Sequence, residues 1–288
     1  MKKLMFVAAA VAAGVAVADV TSANVVGYMD VVRPTNEGAD AATYPKYQNF
    51  FSGSLFNNVG EEGYSLADLT ITGPTSQPVG RNNYIVFWAF GSSIKVDPKR
   101  SYWWDPILNQ WRVRDGKTYA LDGKLTKEQA EAIRFNAGEG FMCNFAQDST
   151  KILFRGEVLK GESGTKLRTI TRPKNKEGQD YQNFVVANPS GRTLYLSDLT
   201  ISGPTTQPVG RNNYLVLMMS GSSIKVDPKR SYWWDPILNQ WRVRDGKTYA
   251  LDGKLTKEQA METKIADPGQ GFMCNFAQDT KLTIPTSL

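Results

Sequence analysis

Residues 101–130 read SYWWDPILNQWRVRDGKTYALDGKLTKEQA, and residues 231–260 repeat them letter for letter. With the preceding GSSIKVDPKR the identity extends over forty residues, 91–130 against 221–260, in a chain of 288. Within the block, SYWWD alternates. If extended, Tyr102 and Trp104 point one way while Ser101, Trp103 and Asp105 point the other, because side chains alternate across a strand. WRVRDGKTYAL carries a hairpin signal, since Asp115-Gly116 takes the left-handed conformations of a two-residue turn. In that register Trp111, Val113, Thr118 and Ala120 share one face, expected inward. Arg112, Arg114, Lys117 and Tyr119 share the other. LTKEQAEAI is the one clear helical stretch, opened by Thr126 as N-cap with Gln129 three residues later completing a capping box.

Outward from the block, the similarity continues. DLTITGPTSQPVGRNNY at 68–84 returns as DLTISGPTTQPVGRNNY at 198–214, and GEGFMCNFAQDSTK at 138–151 returns as GQGFMCNFAQDTK at 269–281. A period of about 130 residues exceeds any solenoid unit and indicates tandem copies of a whole domain. NYIVFWAF and NYLVLMMS are short continuous apolar runs, the pattern of strands buried on both faces. The expected fold is mainly β: two tandem homologous domains, sandwich- or barrel-like, each with one short α-helix. The expected boundaries are 19–160 and 161–288. The joint is placed in 160–180, where Gly, Ser, Thr, Pro and charge replace apolar periodicity. VVGYMDVV, FRGEVLKG and KLTIPTSL are expected to form strands flanking the outer edges.

MKKLMFVAAAVAAGVAVA has two lysines, an apolar run from Leu4 to Val17 and an Ala-Val-Ala site, the layout of a secretory signal peptide over residues 1–18. The run is short for a membrane span. The expected location is secreted, extracellular or at the cell surface, with the periplasm as the other exported compartment. Loss of Lys2 and Lys3 lowers the net charge from +6 to +4, and there is no clustered basic stripe, so nucleic acid is not an expected partner.

With no histidine, Ser-His-Asp and Cys-His catalysis and His-containing zinc sites are excluded. Two cysteines cannot make a four-cysteine centre, the phosphate-cradling Gly-rich pattern is absent, and VRDGKTYALDGK lacks a calcium-loop signature. No cofactor is expected. The surviving enzymatic option is a carboxylate pair for glycoside hydrolysis, drawn from Glu128 and Glu258, Asp105 and Asp235, or Asp115 and Asp245. None stands out: Glu128 lies at a helix start, where the dipole favours negative charge, and Asp115 is explained by its turn. The expected protein is therefore not an enzyme.

Trp103 and Trp233, each beside a carboxylate at Asp105 and Asp235, are candidate glycan-binding or interface residues. A flat indole next to a carboxylate suits stacking on a sugar and bonding its hydroxyls, whereas the opposing expectation is an indole covered by a loop or the neighbouring domain. Cys143 and Cys274, equivalent positions in GFMCNF, lie among aromatics if that stretch is a strand. They are expected as buried free thiols, with a cross-link within or between chains as the alternative that export permits.

ANVVGY near the start and GEGFMCNF followed by ILFRGEV resemble a group of secreted β-rich repeat proteins from Verrucomicrobia and related bacteria. The resemblance implies export and a β-rich domain and supplies no activity or site residues. The second copy departs from it, ending KLTIPTSL without the Gly-Glu-Val. Two units with near-identical faces suit repetitive assembly or bivalent binding better than one catalytic cleft. The expected function is a structural or assembly subunit of the cell surface or extracellular matrix, its partners being other copies or other surface components. The second expectation is a bivalent carbohydrate-binding module acting through the tryptophans on polysaccharide.

Overall fold

The computed structural model describes residues 26–34, 48–54, 56–57, 63–73, 83–89, 95–105, 107–113, 123–136, 138–145, 150–159, 167–171, 181–203, 213–219, 225–243, 253–277 and 279–286. The leader at 1–18 and both Asp-Gly turns lie outside them.

The N-terminal half contains β1 (Val26–Val32), β2 (Gln48–Gly53), β3 (Phe56–Asn57), β4 (Tyr64–Ser65), β5 (Thr70–Thr72), β6 (Tyr84–Ala89), β7 (Lys95–Asp105), β8 (Gln110–Val113), helix α1 (Lys127–Ala132), β9 (Arg134–Phe135), β10 (Gly140–Phe145) and β11 (Lys151–Val158). One sheet runs β1-β11-β3 with β5 also on β11, and a five-stranded sheet runs β2-β10-β6-β7-β8. The C-terminal half repeats the plan with β12 (Leu167–Thr171), β13 (Tyr181–Ala187), β14 (Leu194–Tyr195), β15 (Thr200–Ser202), β16 (Tyr214–Met219), β17 (Lys225–Asp235), β18 (Gln240–Val243), α2 (Lys257–Glu262), β19 (Lys264–Ala266), β20 (Gly271–Ala277) and β21 (Lys281–Pro285). Its sheets run β12-β21-β15 and β13-β20-β16-β17-β18. All the pairings are antiparallel, and the fold is mainly β, as the alternation predicts.

In each half two sheets face one core. Val31, Ile71, Ile152 and Phe154 of the smaller sheet meet Ile85, Phe87, Trp104, Trp111, Phe141 and Phe145 of the larger. The rings pack edge to face, Phe50 on Phe145 at 5.2 Å and Trp104 on Trp111 at 5.3 Å, a preferred aromatic geometry. Trp111 donates its indole N–H to the Leu69 carbonyl at 3.0 Å, which satisfies the one polar atom this ring buries. The α1 cap forms as expected: the Thr126 hydroxyl accepts from the Gln129 amide at 3.2 Å, and the Gln129 side chain accepts from the Thr126 amide at 2.8 Å.

Two expectations change. The stretch 160–180 is not linker throughout, because 167–171 forms β12, whose Ile170 packs on the second core. A short LRTIT alternation was masked by flanking charge. The terminal strands also do not all lie at edges: β11 and β21 are interior strands of their sheets, while β1 and β12 are each an edge strand. Tyr28 on β1 and Leu167 on β12 stand at equivalent places and are 77% and 46% exposed.

The two five-stranded sheets pack on each other through their outer faces. Phe51, Val86 and Met142 meet their equivalents Val185, Val216 and Met273 in a third apolar layer. This explains the continuous apolar run of β6: Ile85 and Phe87 enter the core of their own half while Val86 enters the layer between halves. The contact is reciprocal. Gly53 donates to the Gly269 carbonyl at 3.2 Å, and Ala187, in the place equivalent to Gly53, donates to the Gly138 carbonyl at 3.0 Å. Bridges Ser52 to Gln270 and Glu139 to Val186 exchange roles in the same way, so the halves meet as an isologous pair does, by like patches about an approximate two-fold. Backbones approach closely here: a Cβ on Gly140 would lie 2.4 Å from Val185 Cγ1, and one on Gly271 would lie 2.9 Å from Phe51 Cβ.

Candidate functional site

β7 and β8 carry the candidate tryptophan and carboxylate. Tyr102 and Trp104 point into the core, as the alternation predicts, and Trp103 points to the opposite face. There it lines up across the sheet with Asn144 and Tyr84 on one side and Arg112 on the other. Trp103 is only 1% exposed, as is Trp233, and Asp105 and Asp235 are also buried. The expectation of exposed sugar-stacking rings is therefore corrected, and the covered alternative is the one the structure adopts. Tyr84 on this face packs against the layer between the halves.

The neighbours of Trp103 explain how so polar a row is buried. Arg112, expected on the outer face of its strand, does point away from the core but is itself buried. Its guanidinium carbon lies 5.2 Å from the centre of the Trp103 ring. Asp105 Oδ2 accepts from Arg112 Nε at 2.7 Å and lies 2.7 Å from Nη2. The other oxygen, Oδ1, accepts the backbone N–H groups of Ile107 and Leu108 at 3.0 and 3.1 Å. Both carboxylate oxygens are thus committed, one to the cation and one to the turn, which is what a buried charge requires. The same set recurs at Trp233, Arg242 and Asp235, with 5.3 Å from cation to ring and 2.7 Å for the ion pair.

The turn that Asp105 organises closes through Asn109, which has φ of 50°, a left-handed conformation that asparagine tolerates. It lifts two apolar side chains into solvent. Ile107 is 78% and Leu108 45% exposed, and Ile237 and Leu238 are 77% and 48% exposed. Strand alternation and turn chemistry alone do not single out these residues. The signal was present in DPILNQ, where two aliphatic residues sit between the breakers of a tight turn.

No protein-family model, curated protein or solved structure matches the chain. Any reading of its function rests on these residues alone.

Of the carboxylates considered for glycoside hydrolysis, Asp105 and Asp235 are held in the ion pairs. Glu128 and Glu258 are exposed on the first turns of α1 and α2, where backbone N–H groups hold their carboxyls below the ordinary value. Asp115 and Asp245 lie outside the described residues. Among the described residues no group of three or more Cys, Asp or Glu is placed to hold a metal ion, and no helix is long and apolar enough to cross a membrane.

Cys143 and Cys274 are free and fully buried, one in each core, which corrects the cross-link alternative. Burial pushes both thiols well above the ordinary value, because a thiolate there has lost its water. Neither should react with a thiol reagent in the native protein, and both should react after denaturation. A group whose native pKa is raised contributes stability that is complete below its unfolded value, about 8.5 for cysteine, and is lost as the pH rises toward the native one. Stability measured by denaturant titration should therefore fall between pH 8 and 10, and mutating both cysteines to alanine should flatten that limb. A covalent dimer on a non-reducing gel would contradict the assignment.

Proposed function

We propose that the protein is a secreted, non-catalytic structural or assembly subunit of the cell surface or extracellular matrix, joined to other copies of itself through the β7–β8 and β17–β18 hairpin tips. The observation that carries this reading is the pair of exposed Ile-Leu tips, identical in sequence and in geometry. Exposed aliphatic residues are ordinary singly, and it is the recurrence of the same exposed pair at the same turn in both halves that supports reading the tips as contact sites. Two such sites on one chain give each molecule two connections, and bivalence multiplies weak contacts into stable ones. The carbohydrate-binding alternative rested on exposed indoles and loses its platform with their burial. The commitment of Asp105 and Asp235 to internal pairs supports the non-catalytic part of the reading.

Sedimentation velocity and negative-stain imaging of the mature chain test this. The wild type should form concentration-dependent ordered species, and Ile107→Lys combined with Ile237→Lys should move their onset to at least tenfold higher concentration. The melting curve should stay put, since such exposed positions contribute roughly 0.5 kcal/mol or less. A wild type that stays monomeric at all concentrations would overturn the assembly reading. Unchanged assembly by the double variant would remove the tips as connectors.

A further inference from the structure

The two halves share one backbone plan and differ in the side chains at the cleft between them. A cavity of about 570 Å³ opens between them, within the range of small-molecule sites. Val31, Phe50 and Phe51 of the N-terminal half form one side, and Arg230, Tyr232 and Gln270 of the C-terminal half form the other. Arg230 comes from β17, whose sequence is identical to that of β7, so its equivalent Arg100 shows what this guanidinium does when it has a partner. Arg100 Nη2 lies 2.8 Å from Glu139 Oε1 in a partly buried ion pair, and the guanidinium sits 4.0 Å from the centre of the Phe87 ring.

Both partners are replaced in the C-terminal half. Phe87 becomes Leu217, which offers no ring face, and Glu139 becomes Gln270. The glutamine keeps the local backbone role: its Oε1 accepts the Asp267 amide at 3.1 Å, as Glu139 Oε2 accepts the Asn136 amide at 3.1 Å. It brings an amide where Glu139 brings a charge. Among the described residues, the partner of Arg230 is the Lys264 carbonyl, at 3.4 Å from Nη2. The other charges at the cleft do not supply the missing carboxylate. Asp267 is held by Lys264 at 2.6 Å and by the Thr193 hydroxyl at 2.8 Å. Asp227 holds the same place on β17 that Asp97 holds on β7, and in the N-terminal half Arg100 still takes Glu139.

We propose that this cleft binds a small hydroxylated carboxylic acid, with Arg230 as anchor and the ligand's carboxylate on the cleft side of its guanidinium, next to the Gln270 amide, supplying the negative charge that Glu139 supplies to Arg100. Arg230 supplies the planar fork that matches a carboxylate, and the Thr263 hydroxyl, the Gln270 amide and the Tyr232 hydroxyl supply partners for ligand hydroxyls. The N-terminal half carries within its own chain the group that the C-terminal half takes from solution. A uronic acid or a non-sugar hydroxy acid brings this chemistry.

Isothermal titration calorimetry of the full mature chain at low ionic strength, with trigalacturonate, citrate and neutral galactotriose as probes, tests the proposal and separates the two sources. At least one of the two acids should bind, and the neutral sugar should not. Arg230→Gln should weaken binding at least tenfold. Gln270→Glu should do the same by restoring the pair of the N-terminal half, while leaving the melting temperature equal to or above that of wild type, so a folding defect cannot mimic the result. Failure of both acids to bind at millimolar concentration, or equal binding by wild type and both variants, would overturn the site.

Discussion

Trp103→Ala lowers the stability of the protein by about 3–5 kcal/mol, the usual cost of emptying a buried aromatic site, and Trp233→Ala does the same. Both rings are 1% exposed. Each sits under a guanidinium that is tied to a carboxylate. Removing the indole leaves a cavity on a sheet face and takes away the surface on which Arg112 or Arg242 rests, so the loss combines packing with a weakened cation contact. Denaturant titration of the two single variants measures it. Nearly equal losses are expected, because the surroundings are equivalent. A variant as stable as wild type would show that the ring is not packed and would return the tryptophan to the list of contact residues.

Asp105→Ala should be as damaging, at about 3–5 kcal/mol, because it strands the buried Arg112 charge without its partner. It also releases the Ile107 and Leu108 amides that Oδ1 caps. Asp105→Asn separates the two roles: the amide oxygen still caps the turn, while the charge opposite Arg112 is gone. Arg112→Met in the Asp105→Asn background should recover much of the loss, since replacing both members of a buried pair by neutral groups is far less costly than removing one. Thermal unfolding of the three variants checks this. Equal stability of Asp105→Ala and wild type would mean that Arg112 finds water or another acceptor, and the buried pair would not be what holds the hairpin. Loss of the pair should also disorder the Ile107-Leu108 tip and so weaken the proposed assembly contact.

Part of this site was legible in the sequence. Alternation in SYWWD placed Tyr102 and Trp104 in the core and set Trp103 apart, and the capping box located α1, because both signals depend only on local backbone geometry. The same alternation put Arg112 on the outer face of its strand and led to the expectation that this face is wet. At Arg112 it is dry, and the charge is tolerated there because Asp105, seven residues earlier in sequence, lies at the mouth of the same turn and neutralises the guanidinium. A pattern of apolar and polar letters records which side chains share a face. It does not record whether the charges on that face satisfy one another.

The sequence by itself determined the mainly β character, the repeated plan and the inward direction of Tyr102, Trp104 and Trp111, since these follow from periodicities of two and from repetition. It also marked β6 and β16 as buried on both faces. Only the tertiary structure decided what covers the second face. Phe51, Val86 and Met142 meet their own counterparts across an approximate two-fold, and the close approach that makes this possible depends on glycines such as Gly140, where a Cβ would strike Val185. The reason is physical: hydrophobic burial is non-directional, so an apolar face demands a cover without specifying one. Shape and the pairing of backbone groups between residues more than a hundred positions apart select it.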